Sequence, residues 1–215
     1  MKKFNIIKSL ILIICLFGFN LFAQDNSKAV KILDDVSAKM KSYTSMKIEF
    51  TYTMANTKSN VNDSKSGTIQ IKGAKYHVEV GGQIVFCDGK TVWTYLKDEK
   101  EVNVNNVSAD NDAIPTTILN NYSSNYKPKF IKDAVEGGKT ISIIDLTPLK
   151  TKSYFKVRIH VDKTSLQITN TIIYDKNGST YSYKVNKFTS NLALAENLFS
   201  FNKTEYPGVE VNDMR

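Results

Sequence analysis

Arginine is almost missing from this chain: Arg158 and Arg215 are the only two, and lysine supplies the rest of the 29 basic residues. Sites dedicated to phosphate or nucleic acid lean on arginine forks, so no nucleic-acid partner is expected. Cysteine is nearly as scarce, with Cys15 and Cys87 alone. Histidine is limited to His77 and His160, each at an outward position of an alternating run, where a lone ring reads as a surface residue. No cysteine cluster or paired histidine spacing asks for a metal, and none is expected. There is no Gly-x-Ser-x-Gly elbow, no phosphate-cradling glycine loop and no HExxH helix. Glu49, Glu79 and Asp162 alternate outward with lysines, as solvated strand residues do. No catalytic residue and no cofactor follow from this inventory. A binding protein does.

One long apolar run is present, at the start. Lys2 and Lys3 give a basic opening, residues 6–22 are almost wholly apolar, and Ala23 offers a small residue before the polar Gln24-Asp25-Asn26. That is the layout of a secretory signal peptide, cleaved after residue 23, rather than a permanent anchor. A lipid-attachment reading through Cys15 is weaker, because Ile13 and Ile14 stand where small residues are needed. Export to a bacterial periplasm is expected. Cleavage leaves Cys87 alone, which excludes an internal disulfide and makes it a small buried hydrophobe at a strand end. Lys2, Lys3 and Lys8 belong to the leader, so the net charge of +8 falls to a mild excess. Residues 24–215 suffice for one sizeable core and are expected to form a single domain.

What the chain has in plenty is alternation. Gly67-Thr68-Ile69-Gln70-Ile71-Lys72, Tyr76-His77-Val78-Glu79-Val80, Ile84-Val85-Phe86, Thr91-Val92-Trp93-Thr94-Tyr95-Leu96 and Val102-Asn103-Val104 follow one another, split by Gly81-Gly82 and Asp88-Gly89. Period-two alternation gives a sheet one apolar and one wet face, and the glycine pairs are hairpin turns. Residues 46–54 form an earlier strand, followed by a polar loop over 56–66. Residues 140–146, 155–162, 168–174 and 181–185 resume the pattern, with Asn177-Gly178 as a turn, and 198–201 and 206–211 close it.

Helical periodicity is rarer. Val30, Leu33, Val36 and Met40 make an apolar stripe over residues 27–43, with Ser27 as its N-cap. Ile114, Ile118 and Leu119, with Pro115 in the first turn, predict a short second helix covering part of the sheet. The inward phase of the strands collects Phe50, Tyr52, Ile69, Ile71, Tyr76, Val78, Val80, Trp93, Tyr95, Phe155, Val157, Ile159, Tyr181 and Tyr183. Some ten strands then share limited helical cover. Apolar burial is worth about 25 cal/mol per Å², so an incompletely filled concavity would take an apolar ligand such as an acyl chain.

The order of these elements, with Cys87-Asp88-Gly89-Lys90-Thr91-Val92-Trp93-Thr94-Tyr95, Asp175-Lys176-Asn177-Gly178, Phe199-Ser200-Phe201 and Pro207-Gly208-Val209-Glu210-Val211, resembles the periplasmic outer-membrane lipoprotein carrier family (LolA). The resemblance spans essentially all of residues 24–215. It implies a mainly β (α+β) fold: an incomplete antiparallel β-barrel, or half-barrel, with a lid of short helices over an apolar concave face. It also implies that the protein receives acylated lipoproteins from an inner-membrane ATP-driven exporter and hands them to an outer-membrane acceptor; a monomer is expected. The acyl chains would lie against the concave residues, Trp93 and Tyr95 on a sheet strand among them. Leu33, Val36 and Met40 would join Ile114, Ile118 and Leu119 in the lid. One departure stands out: the family's early-strand arginine, which latches the lid, has no counterpart before Arg158, so Lys47 or Lys58 substitutes or the lid is held otherwise. Three alternatives remain: a lipid-sensing half-barrel regulator of the envelope, a periplasmic enzyme acting on lipid or glycan, and a structural protein with a filled core. Glu49, Glu79 or Asp88 gathered at a pocket mouth would favour the enzyme.

Overall fold

The computed structural model describes residues 20–107, 118–119 and 122–215, with side chains from residue 26 onward. Most of the expected leader, and Ile114 and Pro115 of the expected second helix, lie outside the described residues.

The described residues build one sheet of twelve strands. Helix α1 (Asn20–Lys41) leads into β1 (Met46–Asn56), β2 (Val61–Lys72), β3 (Lys75–Val80), β4 (Gln83–Cys87), β5 (Thr91–Leu96) and β6 (Glu101–Asn106), an antiparallel meander. After the crossover comes a one-turn helix, α2 (Tyr122–Asn125). A second meander follows: β7 (Tyr126–Glu136), β8 (Lys139–Pro148), β9 (Tyr154–Asp162), β10 (Gln167–Asp175) and β11 (Ser179–Ser190). Pairing of β1 with β11 joins the two meanders at the centre of the sheet. The last strand, β12 (Glu210–Asp213), lies parallel to β6. β12 and β7 are the two edges, so the sheet stays open, an incomplete barrel.

The turns follow from local chemistry. Gly81 and Gly82 have φ of +55° and +83°, the left-handed pair that a two-residue hairpin between Val80 and Gln83 demands. At the next turn the Asp88 carboxylate accepts hydrogen bonds from the Lys90 and Thr91 amides, both at 2.8 Å. Asp175 likewise accepts from the Asn177 amide at 2.9 Å. Two of the motifs that carry the family resemblance are thus turn motifs: they set strand registry.

Several elements differ from expectation. α1 begins at Asn20, so Ser27 lies inside it rather than capping it. Its buried stripe is Ala29, Leu33 and Val36, with Met40 half-buried, while Val30 is exposed. The expected loop 56–66 is a tight turn followed by the first half of β2, whose residues 61–66 are exposed on both faces and therefore show no alternation. β7 carries Pro128 and alternating lysines, tolerable only at a sheet edge, and its pattern is broken by a bulge between Phe130 and Lys132. Residues 198–201 are not a strand: a 3-10 turn (Glu196–Phe199) stands there.

Candidate functional site

The concave face is divided into a filled half and an open half. Over β7–β9, α1 presses Leu33 and Val36, both fully buried, against Ile144, Leu146, Val157 and Ile159. Ile118, Leu119, Tyr122 and Tyr126 complete this core. Each such aliphatic side chain contributes about 1.5–3 kcal/mol by leaving water. Polar ties hold the helix in place: the Tyr122 hydroxyl donates to the Asp34 carboxylate at 2.5 Å, and Asp133 on β7 accepts from Lys28 and Lys163. Desolvation, then the hydrogen bond to Asp34 and its charge, raises the Tyr122 pKa, so it remains the donor.

Beyond Met40 the helix stops and the strands continue. Among the described residues this leaves an apolar cavity of about 430 Å³. That size falls within the ~300–1,000 Å³ of small-molecule sites. Its walls are Ile48, Phe50 and Tyr52 of β1, Ile69 of β2, Tyr76, Val78 and Val80 of β3, Val85, Val92 and Thr94 beyond, and Tyr183, Val185 and Phe188 of β11. Ile48, Phe50, Ile69 and Val92 are buried, and the others are half-buried, as expected for a wall facing an unfilled space. Gly67 makes room for the floor: a β-carbon there would stand 2.5 Å from Phe50 Cζ. A bulge opposite Glu49 and Phe50 shifts the phase of β11, so that Phe188 and Val185 face the same way.

Beside Thr94, Thr171, Gln83 and Gln167, the polar groups in this wall are phenols. Burial raises the pKa of Tyr52 and of Tyr76, and pushes Tyr183 up to about 12. All three stay neutral donors near pH 7. Cys87, paired with Tyr76 on the same face, is buried and its thiol is raised by burial. Lys65 is the cation on the lining, and it pairs with Asp63 at 3.2 Å.

The expected site residues fall into three groups. Phe50, Tyr52, Ile69, Tyr76, Val78, Val80 and Tyr183 line the cavity, and Ile71 and Tyr181 share its face without lining it. Val157 and Ile159 are on the concave face too, but in the filled half. Trp93 and Tyr95 require correction: Val92 and Thr94 take the concave phase of β5 and leave both aromatics on the opposite face. There Tyr95 meets Tyr206 at 4.6 Å between ring centroids, and Phe86, opposite Trp93, meets Phe201 at 5.9 Å. Phe155 also turns outward, because a bulge at the start of β9 gives the inward place to Tyr154.

That opposite face holds a second, smaller core. The strap of residues 192–209 covers it, burying Phe199 and Val209 with Ile84 and Phe86. His77 belongs here and is 6% exposed, not the surface residue its outward phase suggested. Burial lowers its pKa, against the pull of Glu79. Glu196 fastens the strap by accepting from Lys72 and Lys75, both at 2.6 Å. His160, half-buried, faces Glu136 at 3.0 Å.

The remaining expectations concern a latch and a catalytic cluster. Arg158 forks onto Asp145 at 2.7 and 2.9 Å, away from the cavity. Lys47 has the outward phase of β1, and Lys58 sits beside Gly178 at a hairpin end, so neither takes the place of a latch. Glu49 and Glu79 line a shallow polar groove on the outer face, in adjacent registry through Thr68, without Asp88. Among the described residues no group of three histidine, cysteine or acidic side chains is arranged to hold a metal.

An open sheet with a half-filled concave face defines the class: a half-barrel with an apolar, ligand-sized cavity. A family model for the outer membrane lipoprotein carrier protein LolA matches residues 41–202, and the chain belongs to that family. No curated protein sequence matches it. Among solved structures, an uncharacterized conserved protein from Thermus thermophilus aligns with a TM-score of 0.60 and 12% identity, over 86% of this chain and 99% of that one. A putative outer membrane lipoprotein-sorting protein domain from Vibrio parahaemolyticus aligns at 0.47 and 13% identity, over 84% of this chain and 99% of that one. A LolA superfamily protein from Nitrosomonas europaea aligns at 0.45 and 13% identity, over 80% and 97%. At these identities the likeness to the first is one of fold.

Proposed function

We propose that this protein is a periplasmic carrier that shelters the acyl chains of lipoproteins between an inner-membrane ATP-driven exporter and an outer-membrane acceptor. The observation that carries the reading is the division of the concave face. The same apolar surface is packed by α1 over β7–β9 and left as a cavity of about 430 Å³ beside Met40. Family membership supports the lipoprotein cargo, and the leader-like start supports export.

The cavity suits release as well as capture. Each buried methylene adds about 0.8 kcal/mol, so a deep, fully aliphatic pocket would retain several chains too firmly for transfer. Tyr52, Tyr76 and Tyr183 replace part of the aliphatic wall with phenols that keep their protons. The reading is of binding without catalysis. It is tested by incubating the purified protein with a lipoprotein in acylated and non-acylated forms. Complex formation with the acylated form alone supports it, and equal binding of both, or of neither, overturns it.

A further inference from the structure

We propose that one end of the second meander docks the protein on an anionic lipid bilayer. The site is the β8–β9 loop, residues 149–153, with the adjoining start of β9 and end of β10. Two large apolar side chains stand out from it: Leu149 is 60% exposed and Phe155 51%. Neither belongs to the concave face. Phe155 is turned outward by the bulge at the start of β9 and lies against Tyr174, with ring centroids 6.2 Å apart.

Among the described residues, lysines outnumber acids around Leu149 and Phe155. Lys150 is in the loop, Lys176 is tied to it by its amide, which donates to the Ser153 carbonyl at 3.0 Å, and Lys127 opposes Thr147 beside it. Lys156 lies 4.0 Å over the Tyr174 ring. The acids of this region are engaged internally: Asp145 by the Arg158 fork and Lys156, Asp175 by the Asn177 amide. An exposed leucine and phenylalanine ringed by lysines fit the headgroup boundary of an acidic membrane, where the apolar tips insert and the ammonium groups meet phosphate. A protein partner fits less well. Protein interfaces favour arginine and disfavour lysine, and the one arginine here is spent on Asp145.

The test is sedimentation of the purified protein with phosphatidylglycerol vesicles and, in parallel, with phosphatidylcholine vesicles. Binding to the first alone, weakening as salt rises, is expected. Replacing Lys150→Glu together with Lys176→Glu lowers the affinity by at least roughly fivefold per lysine, the factor that corresponds to about 1 kcal/mol each. Leu149→Ser with Phe155→Ser weakens binding too. Circular dichroism confirms that each variant is folded, and the salt series on the unaltered protein provides a readout that needs no variant. No binding to phosphatidylglycerol, equal binding to both vesicles, salt-insensitive binding, or unchanged binding in either folded variant overturns the proposal. Uptake of an acyl probe by the cavity is unaffected by these substitutions, so a failure here is separable from a failure of the carrier reading.

Discussion

Tyr52 on β1 and Tyr183 on β11 face each other in register, ring centroids 5.3 Å apart and tilted by 52°, across the seam that joins the two meanders. This pair stands at the middle of the sheet and on the cavity wall. The contact that holds the halves of the fold together is therefore also a contact surface for whatever enters. Phe50, 6.0 Å from Tyr183, extends the same seam to the cavity floor.

Val78 and Trp93 separate the two faces experimentally. Val78→Asp places a charge on the cavity wall and reduces affinity for a fluorescent acyl probe by tenfold or more, since losing contact with about two methylenes already costs roughly that. Trp93→Ala, on the other face, leaves probe affinity within about twofold while lowering the thermal midpoint, because it opens the strap core. Probe titration beside thermal unfolding reads both. A loss of affinity in Trp93→Ala would put the binding surface on the wrong side of the sheet.

Gly67 is required for the cavity floor. In Gly67→Ala the new β-carbon meets Phe50 Cζ at 2.5 Å and the Glu79 carbonyl oxygen at 2.9 Å. The ring must shift into the cavity or the strands must part, a cost of about 1–3 kcal/mol. Denaturant unfolding is expected to show that loss, together with weaker probe uptake.

Much of the cavity was legible in the sequence, and its gaps have local causes. Ile69, Tyr76 and Val78 were readable because β2 and β3 alternate without interruption over those positions. β5 misled because Val92, Trp93 and Tyr95 are all apolar: both faces are covered, one by the cavity and one by the strap, so alternation no longer says which is which. Phe155 and Phe188 were misplaced or missed because bulges shift the phase of β9 and β11, and one residue of phase exchanges inside for outside. The helix stripe was off by one position, Ala29 in place of Val30, since a small residue fits the close approach to the sheet.

The strap responds to pH in two windows. His77 has a pKa below its ordinary 6.5 because burial disfavours its charged form. The unfolded chain thus binds the proton more readily, and the His77 contribution to stability is complete above about 6.5 and declines as pH falls below it. Glu196, held at about 2 against an ordinary 4.5 by Lys72 and Lys75, contributes above about 4.5 and loses that contribution as pH falls towards 2. Limited proteolysis of residues 192–209 across pH follows both. His77→Phe removes the upper step and Glu196→Gln the lower; a pH-independent digestion rate contradicts the assignment.

Tyr122 ties α2 to α1 through Asp34. Tyr122→Phe forfeits a hydrogen bond to a charged group, worth about 1.5–3 kcal/mol when well buried and less at this partly open site. Faster amide exchange in α1, with the strands of the first meander unchanged, is expected. Uniform acceleration would mean that the bond supports the whole fold rather than the helix seat.

Acyl-chain carriage is tested most directly by native mass spectrometry with lipid extraction on protein purified from its own cell envelope. A population carrying lipoprotein or acyl lipid is expected, which Val78→Asp diminishes and Trp93→Ala retains. An unliganded mass throughout, with no uptake of added acylated lipoprotein, would contradict carriage and leave the concave face a structural surface.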